Sequence, residues 1–429
     1  MTLAPPLQPQ PHAVVEPGAA PVKISYRAPI AFTVLGLLGV WMAALVPAGD
    51  TQIRVSTGAD LWQLPLLVVP AAATTWVLVL LALGLAAFSW VQAVRRRPVG
   101  TWVGVVFGVL LVLAFLVSIG AGKTQVVALT GILAGALFLA TPLIFGALSG
   151  VVCERVGIVN IAIEGQLLAG AFLAAVVASL TTSAYLGLVA APIAGAGVGV
   201  LLVFFSIKYQ VNQIIVGVVL NVLVIGLTSF LFSTVLTEHD AWNRRTPLPT
   251  VPIPVLSEIP LIGPVLFRQT VLVYLMYVVV IALQVYLFRS RWGLRVRAVG
   301  EHPKAADTVG IDVNRTRWRN AILGSAIAGL GGAFFTVASG LAFGKEMTGG
   351  RGFIALAAMI LGRWSPKGAV AAALLFGFSE NLRTVLPTLE VSVPPQLLLM
   401  LPYIVTILAV AGFAGRVRAP AAEGIPYVK

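Results

Sequence analysis

The sequence predicts an all-α, polytopic integral membrane protein, and three observations carry that expectation. Of its 429 residues, 59% are hydrophobic and only 10% are charged, against roughly 25% charged in an ordinary soluble chain. Apolar runs of about 20 residues, each long enough to cross ~30 Å of hydrocarbon as a helix, recur along nearly the whole chain. The alternating ten-residue strands of a membrane β-barrel are absent.

Taken in order, residues 1–22 are rich in proline and alanine without periodicity, and 1–27 reads as a disordered cytoplasmic tail. The run 30–46 follows Lys23 and Arg27 and exceeds the usual signal-peptide core; a retained first span is expected, with cleavage near Val46 the alternative. Further spans are expected at 64–90, 101–119, 126–149, 158–180, 185–207, 214–236, 271–288 and 321–343. A divided pair at 353–361 and 369–385, and a last span at 397–413, bring the total to about 10–12. With the N-terminus inside, parity places Arg95-Arg96-Arg97, Lys208, the loop 289–320 and the tail 416–429 on the cytoplasmic side, as the positive-inside rule asks.

The segment 353–361 is too short to span, so the pair is either a re-entrant half-helix plus a span or two short helices. Backbone broken at membrane depth is tolerated only inside protein or beside a water-filled cavity, which puts this segment near a pathway. The outer connection 237–269 carries RTPLPTVPIPVLSEIPLIGP and is expected to be extended, as a stiff connector or a docking surface.

Composition excludes several function classes. The net charge of +13 gathers in particular loops, so it reports topology and not nucleic acid. One cysteine, Cys153, excludes an internal disulfide, and His12, His239 and His302 make no pair at metal-ligand spacing; no metal or cofactor is expected. The stretch GAGKT at 120–124 resembles the end of a phosphate-binding loop, but Val117 stands where the pattern needs its first glycine, and no strand-to-helix context surrounds it. No catalytic cassette is present, so the chain is not expected to be an enzyme.

Polar residues in apolar runs are the candidate site. In VNIAIEGQLLAG, Asn160 and Glu164 stand four apart, on one face if the stretch is helical, with Gly157, Gly165 and Gly170 nearby for close packing or a break. Gln213, Gly217 and Asn221 repeat at four-residue steps in VNQIIVGVVLNVLVIG. Glu380 and Arg383, three apart, are placed to neutralise each other. Intramembrane charge usually faces a bundle interior or cavity, so these groups line a pathway or glue helices together; Glu164 paired with Arg155 is a third possibility. Amides and hydroxyls outnumber unpaired charge, which suits a neutral polyhydroxylated solute.

In the loop 289–320, Pro303 suits a first helical position, 304–309 can follow, and Gly310 suits the position after the end. A short helical peg roughly 10 Å long, between basic flanks, is expected.

Three motifs in order, ATPLIFGALSGVVCERVGIVNIAIEGQLLAGAF, LRVRAVGEHPKAADTVGIDV and GRGFIALAAMILGRWSPKGA, resemble the permease subunit of bacterial ATP-binding cassette importers. The likeness is to the branch of branched-chain amino acid and ribose permeases, and within it to simple-sugar and purine-nucleoside permeases. It covers roughly 140–412, inside a permease core taken as 121–415 behind N-terminal helices at 28–120. The resemblance implies a pore of two permease chains (paralogues or copies), two cytoplasmic ATPase subunits and an external solute-binding lipoprotein. It makes Glu301 to Gly310 the coupling segment, with Glu301, Pro303, Ala305, Ala306, Asp307 and Gly310 as its contact residues in a reduced form of the family motif. It places the GIVNIAIEG stretch among the helices around the translocation path, with Asn160 as the candidate for solute contact and Glu164 as the residue that holds a broken helix in shape; Gln213 and Asn221 join the candidate substrate pathway by their own spacing. The expected function is therefore an importer permease for a nucleoside or simple sugar in a bacterial cell membrane. The alternatives are a proton-coupled secondary transporter with Glu164 as the titrating group, and a membrane-embedded enzyme acting on lipid.

Overall fold

The computed structural model describes residues 26–390, 400 and 418–428; the expected N-terminal tail up to residue 25, and the last span apart from residue 400, lie outside them, and Arg27, expected in the tail, opens the first helix. Among the described residues nine helices are long and apolar enough to cross a membrane, and the chain is all-α and multi-pass.

The first three, α1 (Arg27–Ala44), α2 (Ala71–Val94) and α3 (Thr101–Ile119), pack on one another, with Phe32 stacked on Phe107 at 4.6 Å between ring centroids. The sequence signal for α2 ran over 64–90, but the helix starts at Ala71. Residues before Pro65 and Pro70 are steered to extended backbone, and Leu67–Pro70 forms β2, antiparallel to β1 (Asp50–Arg54). β3 (Val127–Ala128) pairs parallel with β1 and joins this unit to the rest. The GAGKT stretch is the turn from α3 to β3, where the Lys123 ammonium donates to the Leu389 carbonyl at 2.8 Å; no strand leads into it.

The core follows: α4 (Leu129–Glu154), α5 (Ile163–Thr181), α6 (Ala184–Val203), α7 (Gln213–Leu231), α8 (Val271–Arg289), α9 (Arg291–Glu301), α10 (Pro303–Thr308), α11 (Val313–Gly332), α12 (Arg351–Leu361) and α13 (Pro366–Thr388). Helix α4 is buried along its second half and packs against α11, α12 and α13. Helices α5, α6 and α11 meet through glycine: a Cβ on Gly329 would lie 2.8 Å from the Gly195 Cα, and one on Gly170 would overlap the Gly329 carbonyl. Lipid supplies no hydrophobic drive between helices, so close backbone approach and its dispersion contacts hold such a seam.

Two spans are broken where the hydropathy is continuous. The expected helix 158–180 begins only at Ile163, after the irregular stretch 155–162. The expected span 321–343 instead starts at Val313, where the Asp312 carboxylate caps the Arg315 N–H at 2.9 Å, and ends at Gly332. After a short 3-10 turn, residues 336–350 run without helix to α12, with Gly340, Gly349 and Gly350 at positive φ. Helix α12 has 11 residues, about 16 Å, half a crossing.

The connection 237–269 is only partly extended: β4 (Thr250–Pro252) pairs antiparallel with β5 (Arg268–Thr270). The Leu248 N–H donates to the Val337 carbonyl at 2.7 Å, so this connection covers the irregular stretch that follows α11. Residues 291–301, expected as a basic flank, form α9, started by the Ser290 hydroxyl accepting from the Gly293 N–H at 2.9 Å.

Candidate translocation site and coupling segment

A break in a membrane helix exposes N–H and C=O groups that lipid cannot satisfy. The polar residues singled out in the sequence are what satisfy them. On α7, Gln213 and Asn221 lie two turns apart and splint the break before α5. The Gln213 carbonyl oxygen accepts from the Val159 N–H at 2.7 Å. Asn221 accepts from the Gly165 N–H at 2.8 Å and donates to the Ile161 carbonyl at 2.9 Å. Gly217, between them, lets the backbone come close: a Cβ there would sit 3.0 Å from the Ile161 Cβ.

Asn160 lies within the break, not on a helical face shared with Glu164. It is fully buried and exchanges two hydrogen bonds with Gln166, each 3.0 Å, and donates to the Ser149 hydroxyl at 3.0 Å; Gln166 donates on to Ser325 at 3.0 Å. This network ties the break to α4 and α11. The expectation that Asn160 touches solute finds no polar atom of it turned outward in this conformation. Of the four predicted residues, Gln213 alone has a buried side-chain polar atom, its Nε2, with no partner among the described residues.

Glu164 stands in the first turn of α5 and reaches the start of α12. One carboxylate oxygen accepts from the Thr348 hydroxyl at 2.6 Å and the Gly350 N–H at 2.8 Å, and the other from the Gly352 N–H at 2.6 Å. The negative charge thus meets the positive end of a half-helix dipole and caps its orphan donors. Arg155 is elsewhere, donating to the Trp364 carbonyl at 2.8 Å, so the Arg155–Glu164 pairing does not form. Gly146 and Gly150 of α4 face Ala355 and Met359 of α12. Since 146 precedes the α4 terminus at 154 by eight positions, the start of α12 lies more than about 12 Å inside the bundle.

Beside this joint, Glu380 of α13 holds two guanidiniums, Arg351 at 3.0 Å and Arg383 at 3.1 Å. The Glu380–Arg383 spacing was legible in the sequence; Arg351 was not, because its partner lies 29 positions away. Lys345, Glu346, Gly349 and Phe353 on the same stretch are exposed. Sequence reasoning also missed Ser149, Ser325 and Thr348, whose small polar side chains carry no spacing signal of their own, and gave no role to Gln166, the glutamine of VNIAIEGQLLAG.

At the bundle end where α4 finishes, α10 forms the expected peg. Pro303 opens it, and Gly310 follows its end at φ +82 with open space around it. Ala306 is buried and Asp307 half-buried, whereas Ala305 and Val309, one turn apart, are exposed, Val309 at 74%. Glu301 closes α9 and accepts from the Ala421 N–H at 3.2 Å.

A half-helix fastened at membrane depth to the start of a spanning helix, with an uncovered peg at one face, is an arrangement that suits a transport component. The chain belongs to the family described as branched-chain amino acid transport system / permease component, which matches residues 132–410. It is similar to the guanosine ABC transporter permease protein NupQ of Bacillus subtilis, 39% identical over 307 residues, 68% of this chain and 95% of that protein. It is also similar to the nucleoside ABC transporter permease protein NupC of Lactococcus lactis (38% over 309 residues, 70% and 96%). A third relative is the putative glucose ABC transporter permease protein TsgC13 of Haloferax volcanii (33% over 270 residues, 62% and 80%). No solved structure matches the chain significantly.

Proposed function

We propose that this permease forms the translocation path for a nucleoside in an ATP-binding cassette importer of a bacterial cell membrane, working beside a second permease chain, cytoplasmic ATPase subunits and an external binding protein. The observation that carries the reading is the joint at Glu164, where the N-terminus of the half-helix α12 is fastened to the first turn of α5 inside the bundle. A neutral nucleoside suits a path whose buried carboxylates, Glu164 and Glu380, are both committed to partners within the protein. The relatives named for guanosine and nucleosides support that choice over a sugar. In this reading Asn160, Glu164 and Asn221 shape the path wall by holding the breaks, and the Gln213 Nε2 is the donor left for solute. Lys345, Glu346, Gly349 and Phe353 face the cavity and the second chain, because charge at membrane depth needs a polar neighbour.

The face bearing α9 and α10 is cytoplasmic in this scheme, consistent with Arg289, Arg291, Arg295, Arg297, Arg315 and Arg319 gathered there. The peg α10 then inserts Ala305 and Val309 into an ATPase cleft. Deleting residues 303–309 is expected to abolish ATP-driven uptake of radiolabelled guanosine while the chain still reaches the membrane. Normal co-purification of the ATPase with that deletion would sink the coupling assignment. A ranking of nucleosides and sugars by thermal stabilisation of the cognate binding protein tests the solute; preference for a sugar would overturn it.

A further inference from the structure

The C-terminal segment 418–428, which the sequence suggests is only a cytoplasmic tail, is built into the face that carries the peg. Its own composition shapes it. Two tight turns follow one another, the Glu423 N–H donating to the Pro420 carbonyl at 3.0 Å and the Ile425 N–H to the Ala422 carbonyl at 3.3 Å, and Gly424 takes φ +73. So compact a segment presents successive backbone groups to its neighbours.

Those groups reach three separate parts of the molecule. Toward the peg, the Ala422 N–H donates to the Gly300 carbonyl at 2.9 Å, the Ala421 N–H to the Glu301 carboxylate at 3.2 Å, and the Tyr427 hydroxyl lies beside Asp307 of α10. Toward the break before α5, the Gly424 N–H donates to the Gly157 carbonyl at 3.2 Å. Toward α11, the buried Arg317 guanidinium donates to the Ile425 carbonyl at 2.9 Å. Gly157 stands at φ +90, and a Cβ there would press on the Ala422 carbonyl at 3.1 Å, so the meeting point disfavours a side chain. The Glu423 carboxyl lies against that of Glu154, the last residue of α4, with its Oε2 buried and unpartnered among the described residues, and burial pushes Glu423 above the usual carboxylate range. Ala422 is 5% exposed.

We propose that residues 420–427 are a strap that welds the α9–α10 peg to the α4–α5 break, so that movement of the peg is delivered to the Glu164 joint as a rigid-body displacement. The inference rests on the reading of α10 as the coupling segment. Apart from the strap, the peg reaches the break through the Gly300–Arg155 packing at the end of α9, where a Cβ on Gly300 would overlap the Arg155 carbonyl, and indirectly through α11, which packs on α9, α10 and α4. A strap that transmits motion stays docked throughout the cycle; a strap that regulates it lets go in one state. Tyr427, Glu423 and Ala422 are therefore positioning residues and touch neither solute nor nucleotide.

The test uses the assembled complex of permease, ATPase and binding protein in vesicles, measuring ATP hydrolysis and solute uptake together. A chain ending at residue 419 is expected to keep its ATPase bound and hydrolysing while uptake per ATP falls at least tenfold. Glu423→Gln, which keeps a neutral hydrogen-bonding side chain, is expected to retain full uptake per ATP, and Tyr427→Ala to lose more of it than Tyr427→Phe. Unchanged uptake per ATP in the truncated chain overturns the proposal, and so does loss of the ATPase from it, which would make the segment a docking surface. Should truncation prevent folding, hydrogen exchange on the unaltered complex decides: the Ala422 and Gly424 amides stay protected both at rest and with nucleotide trapped, and exchange at loop rates in either state overturns the strap. The peg deletion separates the two readings. If that deletion leaves the ATPase bound, the coupling assignment fails whatever the strap does.

Discussion

Glu164 commits both carboxylate oxygens to the first turn of α12, accepting from two backbone N–H groups and one hydroxyl. Replacing it with glutamine turns an NH2 group toward at least one of those donors, an unfavourable contact in a site where water cannot compensate. Glu164→Gln is expected to cost about 1–3 kcal/mol, read as a lower unfolding midpoint in detergent and reduced uptake. The same variant addresses the proton-coupled alternative: a titrating carboxylate would leave downhill solute exchange intact on losing its charge, and a structural cap would not. The two α7 amides differ in the same currency. Asn221→Leu orphans the Gly165 N–H and the Ile161 carbonyl, whereas Gln213→Leu orphans the Val159 N–H alone. The first is expected to lower membrane yield and uptake more; wild-type uptake in both would remove these residues from the path wall.

At the scale of elements, the molecule depends on helices that approach through glycine and on helices that stop short. The α5–α11 contact at Gly170 and Gly329 leaves no volume for a side chain. Gly170→Val is expected to prevent assembly of the bundle, seen as loss of the chain from the membrane fraction, because backbone cannot yield as a flexible side chain can. Helix α11 begins at Val313, about two turns before the apolar run that starts at 321, and its start rests on Asp312. Asp312→Ala is expected to cost about 1 kcal/mol, measurable as faster amide exchange over the first turn of α11. These two elements show what was readable in advance. The Pro303 and Gly310 punctuation announced α10, since each residue has a conformational preference of its own. Helix α9 escaped notice because Arg291, Arg295 and Arg297 looked like a solvated flank, and only the burial of Val296 and Val299 against neighbouring elements makes them one face of a helix.

For the whole molecule, the positions of charge decide what surrounds it. Glu380 neutralises one of Arg351 and Arg383, leaving a net positive cluster beside exposed Lys345 and Glu346. Such a surface cannot face acyl chains, so a water-filled cavity and a second permease chain are expected against it. Introduced cysteines at Lys345 or Gly349 are expected to react with a membrane-impermeant maleimide in a manner that changes between the nucleotide-free and nucleotide-trapped complex; state-independent protection would place this stretch outside the path. Uptake is expected to persist under a protonophore while ATP is held constant, and its collapse there would favour a secondary transporter.

Hydropathy and charge placement in the sequence alone determined that this chain crosses the membrane many times, which loops are basic, and which few polar residues stand inside apolar runs. Transfer free energy accounts for that much, because it depends on each residue and its near neighbours. Only the tertiary structure decided that the helices break at 155–162 and 336–350, and that Glu164 caps α12 while Asn221 and Gln213 splint the chain before α5. A continuous apolar run is compatible with a break whenever another helix brings hydrogen-bonding groups to the freed backbone. Those groups come from residues up to 188 positions away in the chain, and no local pattern records them.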